Sequence, residues 1–488
     1  MNKKVTIIGA GISSLSTACF LAKDGYKVTI LEKNKTIGGR ARQFSEDGFV
    51  FDMGPSWYWM PDVFERFYNQ FGYTTSDFYE LKRLNPSYRV FWDDNSFDDI
   101  PADLETYKNW FDKLEPGSSK HLEQFLKEAK YKYEVGMNDL VHKPSLSWAE
   151  FIDGRIISGM FKLHLFSSFA KYIRKYFSNE KIISLLEFPV LFLGATPEET
   201  PALYSLMNYA DIELGTWYPM GGMYRIIESF EKIANKLGVE ILTDEEVIGF
   251  EYKNNTITHT KTKNKSIETD ILISGADYNH TDQKLVSNHS NYTESYWDKR
   301  VMAPSSLLFY VGVNKKIENL QHHNLFFDAD FKEHAHNIYK DPAWPKNPLF
   351  YVCCPSKTDD SVAPEGKENI FILVPIASNI NDDETIRLKY FDLLIERIEK
   401  HTGVSIKNDI IYQKSYCISD FKKDYHAFKG NAYGLANTLL QTAILKPTLK
   451  NKKLKNMFYT GQLTVPGPGV PPSIISGEVV AKQVIKQF

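Results

Sequence analysis

Residues 5–32, VTIIGAGISSLSTACFLAKDGYKVTILE, make one uninterrupted strand, glycine turn, helix and second strand at the front of the chain. A largely β-branched run at residues 5–8 feeds a turn at Gly9 and Gly11; an apolar-periodic helix follows and stops at Gly25. A second β run, residues 28–31, ends on the acid Glu32. The pattern dictates a parallel βαβ crossover. It sets unpaired N–H groups and the positive end of a helix dipole where a dinucleotide pyrophosphate can sit. Glu32 then stands at the tip of the second strand, in reach of adenosine ribose hydroxyls. The third glycine of GxGxxG is replaced by Ser14. That glycine lets helix and strand pack closely, and serine, the next smallest polar choice, predicts a similar but looser contact. Lys3 and Lys4 ahead of an apolar stretch mimic a secretory leader. Gly9, Gly11, Ser13, Ser14, Ser16 and Thr17 interrupt the continuous apolar region that a leader needs.

The 488 residues allow roughly two to four domains. A net charge of −3 and the lack of a long basic run interleaved with aromatics argue against nucleic acid as a partner. Cys19, Cys353, Cys354 and Cys417 have no ligand spacing and read as reduced, buried thiols of a cytoplasmic protein. The histidines, His322 and His323 among them, lack HExxH-type spacing, so they read as solvated and no metal is expected. No apolar run reaches the roughly 18–20 residues needed to span a bilayer.

Glycines return just after Glu32, at Gly38, Gly39, Arg40, Ala41 and Arg42. A second phosphate-sized turn is not part of a plain nicotinamide fold; it predicts a longer dinucleotide, with an arginine for phosphate charge. Residues 49–57, FVFDMGPSW, read as a strand breaking into a Gly-Pro turn. Residues 101–189 turn helical and charged. Within them, residues 155–177 carry Ile156, Met160, Leu163, Phe166, Phe169, Ala170, Ile173 and Phe177 at helical spacing, with Lys162, Lys171, Arg174 and Lys175. An interfacial helix with an apolar and a basic face has this pattern, and so does a core helix with solvated lysines. WYPMGGM at residues 217–223 opens a helix at 224–237, and β segments follow at 239–242, 247–252 and 270–276. Residues 300–440 are mixed, with strands expected at 306–313, 349–354 and 369–375. The basic run 446–455 reads as a solvated approach to a last strand at 457–460, before a Pro/Gly segment at 465–472 and a closing helix.

The fold class is therefore α/β. A discontinuous Rossmann-type domain is expected from residues 1–100, 235–290 and 445–488. A helical insertion spans 101–234 and is a candidate membrane contact, and a mixed α+β substrate domain spans 291–444.

Together these segments resemble the FAD-dependent carotenoid desaturases of the bacterial phytoene desaturase type, within the amine-oxidase-like flavoproteins. The resemblance runs over essentially the whole chain. Its carriers are GAGISSL at 9–15, LEKNKTIGGRA at 31–41, FDMGPSW at 51–57, YPMGGM at 218–223, ISGADY at 273–278, KGNAYGL at 429–435 and GQLTVPGPGVPPSIISGEVVA at 461–481. It implies FAD as cofactor. Gly9, Gly11, Ser13 and Ser14 would cradle its pyrophosphate, Glu32 with neighbouring Lys33 would face the adenosine ribose, and Gly39 and Arg40 would add phosphate contacts. Pro55, Ser56 and Trp57 would lie near the isoalloxazine, and Val247 would hold the adenine through its backbone. Gly461, Gln462, Gly469, Val470 and Pro471 would wrap the ribityl chain and ring. Many relatives have Gly-Asp where this chain has Gly461 and Gln462, so the contact made there would be uncharged.

The resemblance also implies the chemistry. A long apolar polyene would lose hydride to flavin N5 and a proton from the neighbouring carbon, in a water-excluding tunnel. Phytoene desaturases and hydroxycarotenoid 3,4-desaturases share these motifs, and no catalytic base stands out. The implied partners are a carotenoid or other long isoprenoid, oxygen or a quinone as electron acceptor, and a membrane surface. The expected location is cytoplasmic, peripheral to the inner membrane. A carotenoid isomerase, a retinoid saturase, an amine oxidase or a non-catalytic isoprenoid-binding protein would share much of the pattern.

Overall fold

The N-terminal βαβ unit forms as its pattern predicts and becomes the centre of a five-stranded parallel sheet. Its strand order is Met457–Tyr459, Ile271–Ser274, Lys4–Ile8, Lys27–Leu31, Glu240–Leu242. Ile271–Ser274 and Met457–Tyr459 are buried throughout, as a parallel sheet covered on both faces requires. Helix α1 (Ile12–Lys23) packs on this sheet and against α2 (Tyr224–Lys236). The computed structural model describes residues 3–151, 167–191 and 194–488.

A seven-stranded sheet forms the second layer. Its order is Ile410–Tyr416, Ser305–Val313, Glu368–Ile376, Phe350–Cys353, His323–Phe327, Tyr88–Trp92, Phe97–Ile100. All its pairings are antiparallel except that of His323–Phe327 with Tyr88–Trp92. The period-2 alternation of side chains sorts its two faces. Leu307, Phe309, Val352, Ile370 and Ile372 point to one side, against Tyr390, Phe391, Leu394 and Ile398 of α3 (Glu384–Thr402). Leu308, Tyr310, Tyr351, Phe371 and Tyr88 point to the other side and join the core that also holds α1 and the first sheet. Strands Tyr88–Trp92 and Phe97–Ile100, assigned from sequence to the nucleotide domain, are thus hydrogen-bonded into the second sheet.

The chain closes on α4 (Val470–Gln487), which crosses α1 at very short range. A Cβ on Gly477 would lie 2.5 Å from Ser13 O and 2.6 Å from Ser16 Cβ. Ser16 Oγ donates to Ile474 O at 2.8 Å, and Thr17 Oγ1 donates to Ser13 O at 2.8 Å. The serines that spoil a secretory leader are the small residues this crossing needs.

Most of the segment read as either an interfacial or a core helix, residues 155–166 of 155–177, lies outside the described residues. In the described part the helix is only Phe169–Ile173. Its Phe169 and Ile173, together with Phe177, are buried in the core, where Phe177 meets Phe111 and Phe125 edge-on. In the basic run at 446–455, Lys452, Lys453 and Lys455 are exposed as a solvated approach to the last strand would have them, while Lys446 is buried. His322 and His323 are buried, not solvated, because His323 opens an internal strand of the second sheet. The four cysteines are free and buried. Among the described residues no helix is long and apolar enough to cross a membrane.

Candidate cofactor and substrate site

The turn at the tip of the first strand is held from several directions. Gly9 adopts φ +84° and donates to Leu31 O at 2.8 Å, a conformation glycine takes without strain. Gly11 caps α1 with no side-chain hydrogen bond to the first turn, so the leading N–H groups face outward. A Cβ on Gly11 would meet nothing within 4 Å. Gly38 N donates to Ala10 O at 2.8 Å, and a Cβ on Gly39 would lie 3.2 Å from Gly11 Cα, so the two glycine turns touch. The C-terminal motif arrives at the same place, since a Cβ on Gly461 would lie 3.2 Å from Ser13 Oγ.

Ser14 is accommodated by a glycine far along the chain. A Cβ on Gly275 would sit 1.9 Å from Ser14 Oγ. Glu32 is buried and accepts from Ala10 N at 2.7 Å, Asn34 N at 2.8 Å and Asn34 Nδ2 at 2.9 Å. Val247 lies near it, because Glu245 N donates to Glu32 O at 2.9 Å. Lys33 turns away from α1: its Nζ donates to Lys423 O and meets His426 Nε2 at 3.2 Å.

Arg40 reaches over the Tyr425 ring at 4.9 Å and donates from Nη2 to Asn431 O at 3.2 Å. Its Nε is shielded from solvent with no hydrogen-bond partner, and burial lowers its pKa. The Gln462 amide lies beside it, donating to Asn431 Oδ1 at 2.9 Å; turned over, its oxygen would accept from Arg40 Nη2 at 3.2 Å. A guanidinium with an unsatisfied shielded N–H, a bare helix N-terminus and open space at Gly11 fit a phosphate-bearing ligand. Asn431, of the KGNAYGL motif, joins Arg40 to Gln462 and was not legible as a site residue from spacing alone.

The other end of the site is aromatic. A Cβ on Gly54 would lie 2.5 Å from Arg40 O, so the Gly-Pro turn follows directly from the phosphate end. Beyond Pro55, Ser56 Oγ accepts from Tyr351 Oη at 3.0 Å. Trp57 stacks on His323 with ring centroids 4.1 Å apart, and meets Trp59 at 5.2 Å and Tyr88 at 5.5 Å. The segment expected at the ring end thus lies on the aromatic face of the second sheet. Gly469 takes φ +114° as the cap of α4, with Val470 and Pro471 in its first turn.

The YPMGGM motif ties the two layers together. Gly221 and Gly222 take φ +93° and +99°. Asp52 accepts from Met223 N at 2.7 Å and Tyr224 N at 3.2 Å, at the start of α2, while Gly221 N donates to Asp359 Oδ2 at 2.6 Å. Burial pushes the Asp52 carboxyl up to about 6 against these hydrogen bonds. Asp52, Gln43, Ser56, Tyr218, His322 and Asn369 contribute to the wall of a small cavity between the layers.

Residues 12–485 match the family described as flavin containing amine oxidoreductase. The chain is 39% identical over 486 residues to a carotenoid 3,4-desaturase of Haloarcula japonica, covering 99% of this chain and 98% of that one. It is 27% identical over 500 residues to a zeta-carotene-forming phytoene desaturase of Myxococcus xanthus, covering 99% and 94%. Among solved structures, a putrescine oxidase has a TM-score of 0.63 at 11% identity, with 100% of both chains covered, which supports the fold alone. FAD is accordingly the cofactor, and the fold is that of the amine-oxidase flavoproteins. With the match spanning nearly every residue, the chain belongs to the flavin containing amine oxidoreductase family.

Proposed function

We propose that the protein is an FAD-dependent carotenoid desaturase, of the 3,4-desaturase type in preference to the phytoene type. The observation that carries this reading is the 39% identity to the Haloarcula carotenoid 3,4-desaturase across 99% of this chain. The M. xanthus phytoene desaturase stands at 27%. The apolar, aromatic sheet face against which Trp57 stacks supports it, because a polyene offers no polar groups for recognition.

When bound, FAD supplies the hydride acceptor that no side chain can provide. The chain's own residues bind and orient. Gly9, Gly11, Ser13 and Ser14 shape the α1 N-terminus for the pyrophosphate, with Gly39 and Arg40 opposite. Glu32 meets the ribose, and the backbone at Val247 meets the adenine. Pro55, Ser56, Trp57, Gly461, Gln462, Gly469, Val470 and Pro471 enclose the ribityl chain and ring. Lys33 plays a smaller part, since it bonds to the 423–426 segment. Tyr88, Tyr351 and Phe371, buried on the aromatic face, would position the polyene near the flavin and exclude water. The substrate is dissolved in lipid, so the protein works at a membrane surface and passes electrons to oxygen or a quinone.

The test uses purified, yellow holoenzyme and carotenoids carried in liposomes, with an electron acceptor. Products two mass units lighter per step, with a lengthened chromophore, are expected. No change with acyclic carotenes or their 1-hydroxy derivatives would overturn the reading.

A further inference from the structure

Desaturation releases a proton as well as a hydride, and the second sheet carries a group suited to receive it. We propose that His323 is the proton acceptor of the reaction, an assignment that rests on the desaturase reading above. His323 is fully buried at the start of its strand, on the face turned toward Trp57 and Ser56. Its Nδ1 lies 2.6 Å from Tyr351 Oη, and that hydroxyl donates to Ser56 Oγ at 3.0 Å. Because Tyr351 spends its proton on Ser56, it accepts from His323, so Nδ1 carries the ring proton and Nε2 keeps its lone pair. Nε2 is shielded from solvent and has no hydrogen-bond partner among the described residues.

A buried, unpaired ring nitrogen is costly, and a free lone pair held inside the fold is what a base needs. Tyr351 orients the base as the third member of a catalytic triad does. Burial and the neighbouring His322 hold the His323 ring well below the usual imidazole range, and the Trp57 face, stacked at 4.1 Å, works against them by favouring the cation that forms. His322 also has an unpartnered Nε2 and lines the same small cavity as Ser56, but its Nδ1 is bonded to Thr358 Oγ1 at 2.8 Å, and among the described residues no hydrogen-bonded path joins it to Ser56.

The step balances. One carbon would lose hydrogen with both bonding electrons, and FAD, when bound, would supply the two-electron acceptor that this oxidation of the substrate needs. The neighbouring carbon gives a proton to His323 Nε2, and the electron pair of that C–H bond becomes the π bond. The negative charge handed over with the hydride is matched by the positive charge on the imidazole ring.

The experiment is single-turnover bleaching of the flavin absorption, without oxygen, by liposome-borne carotenoid. His323→Leu is expected to keep its FAD and to slow bleaching by about 10²–10⁴-fold, the usual weight of a general base. Deuterium on the proton-losing carbon should slow the variant further while leaving the wild type nearly unchanged, which a merely structural role would not produce. Tyr351→Phe should slow bleaching to a lesser degree, and it decides the matter by the same measurement if His323→Leu does not fold. Wild-type-like bleaching in whichever of the two variants folds overturns the assignment while the desaturase reading stands. Wild-type holoenzyme that bleaches with no carotenoid overturns both. His322, His323 and Cys353 also offer ligand atoms within 4.8 Å of one another. One zinc ion per purified chain, lost in His323→Leu, would occupy the same lone pair and overturn the assignment too.

Discussion

Ser14 stands where a dinucleotide-binding turn ordinarily has its third glycine, and the room for it comes from Gly275. With no Cβ, Gly275 leaves the space that Ser14 Oγ fills; a Cβ there would sit 1.9 Å from it, and 3.3 Å from Ile8 O. Such an overlap in a packed interior costs about 1–3 kcal/mol. Gly275→Ala is therefore expected to lower the unfolding free energy of the holoenzyme, read from urea denaturation, by that much and to reduce its FAD content. Adding Ser14→Gly should recover most of both losses, and equal losses in the single and double variants would refute the pairing. Position 14 was legible as a departure from the motif, but its compensation was not. Nothing in a one-dimensional pattern says which distant glycine faces which serine. His323 is a similar case: adjacent histidines without metal-ligand spacing read as solvated, and only the pairing of strands reveals that they are inside.

Among the elements, the segment around Phe169–Ile173 shows what amphipathic periodicity leaves undecided. An apolar stripe flanked by lysines and arginines looks the same whether it faces lipid or core. Here Phe169 and Ile173 face inward, while Ser168 Oγ caps the short helix by accepting from Lys171 N at 3.4 Å. Any membrane contact must then come from other residues. Phe169→Ser is expected to destabilise the protein by about 3–5 kcal/mol, the usual consequence of emptying a large buried site. The surviving folded fraction should partition between liposomes and solution as the wild type does. A variant with unchanged melting temperature but weaker partition to liposomes would return this helix to the surface. The nucleotide-binding elements were legible because each is specified by neighbours within a few residues. The strands of the second sheet at 306–313, 349–354 and 369–375 were found almost to the residue. Their order was not, because pairing Tyr88–Trp92 with His323–Phe327 is a long-range choice that local pattern does not encode.

The site proposed for FAD is assembled from pieces far apart in the chain, and on that reading FAD is part of the fold. The glycine turn at Gly9 and Gly11, the Arg40 turn, Asn431 and the Gly461–Gln462 corner meet only in three dimensions. Without FAD they leave an uncapped helix N-terminus and a shielded Arg40 Nε with no partner, groups whose burial is unfavourable. A ligand that binds only the folded state adds stability by mass action, about 2.7 kcal/mol at a hundredfold excess over its dissociation constant. Removing FAD should therefore lower the melting temperature, and adding it back should restore it with a concentration dependence that follows this relation. Loosening should begin where the site is stitched together. Brief proteolysis of the apoprotein is expected to cut within residues 461–469 faster than in the holoenzyme, while the α3-covered face of the second sheet stays protected. Equal cutting in the two forms would mean that the corner is held by the α1–α4 crossing alone, with Gly477 against Ser13 O, and that FAD enters a site already rigid.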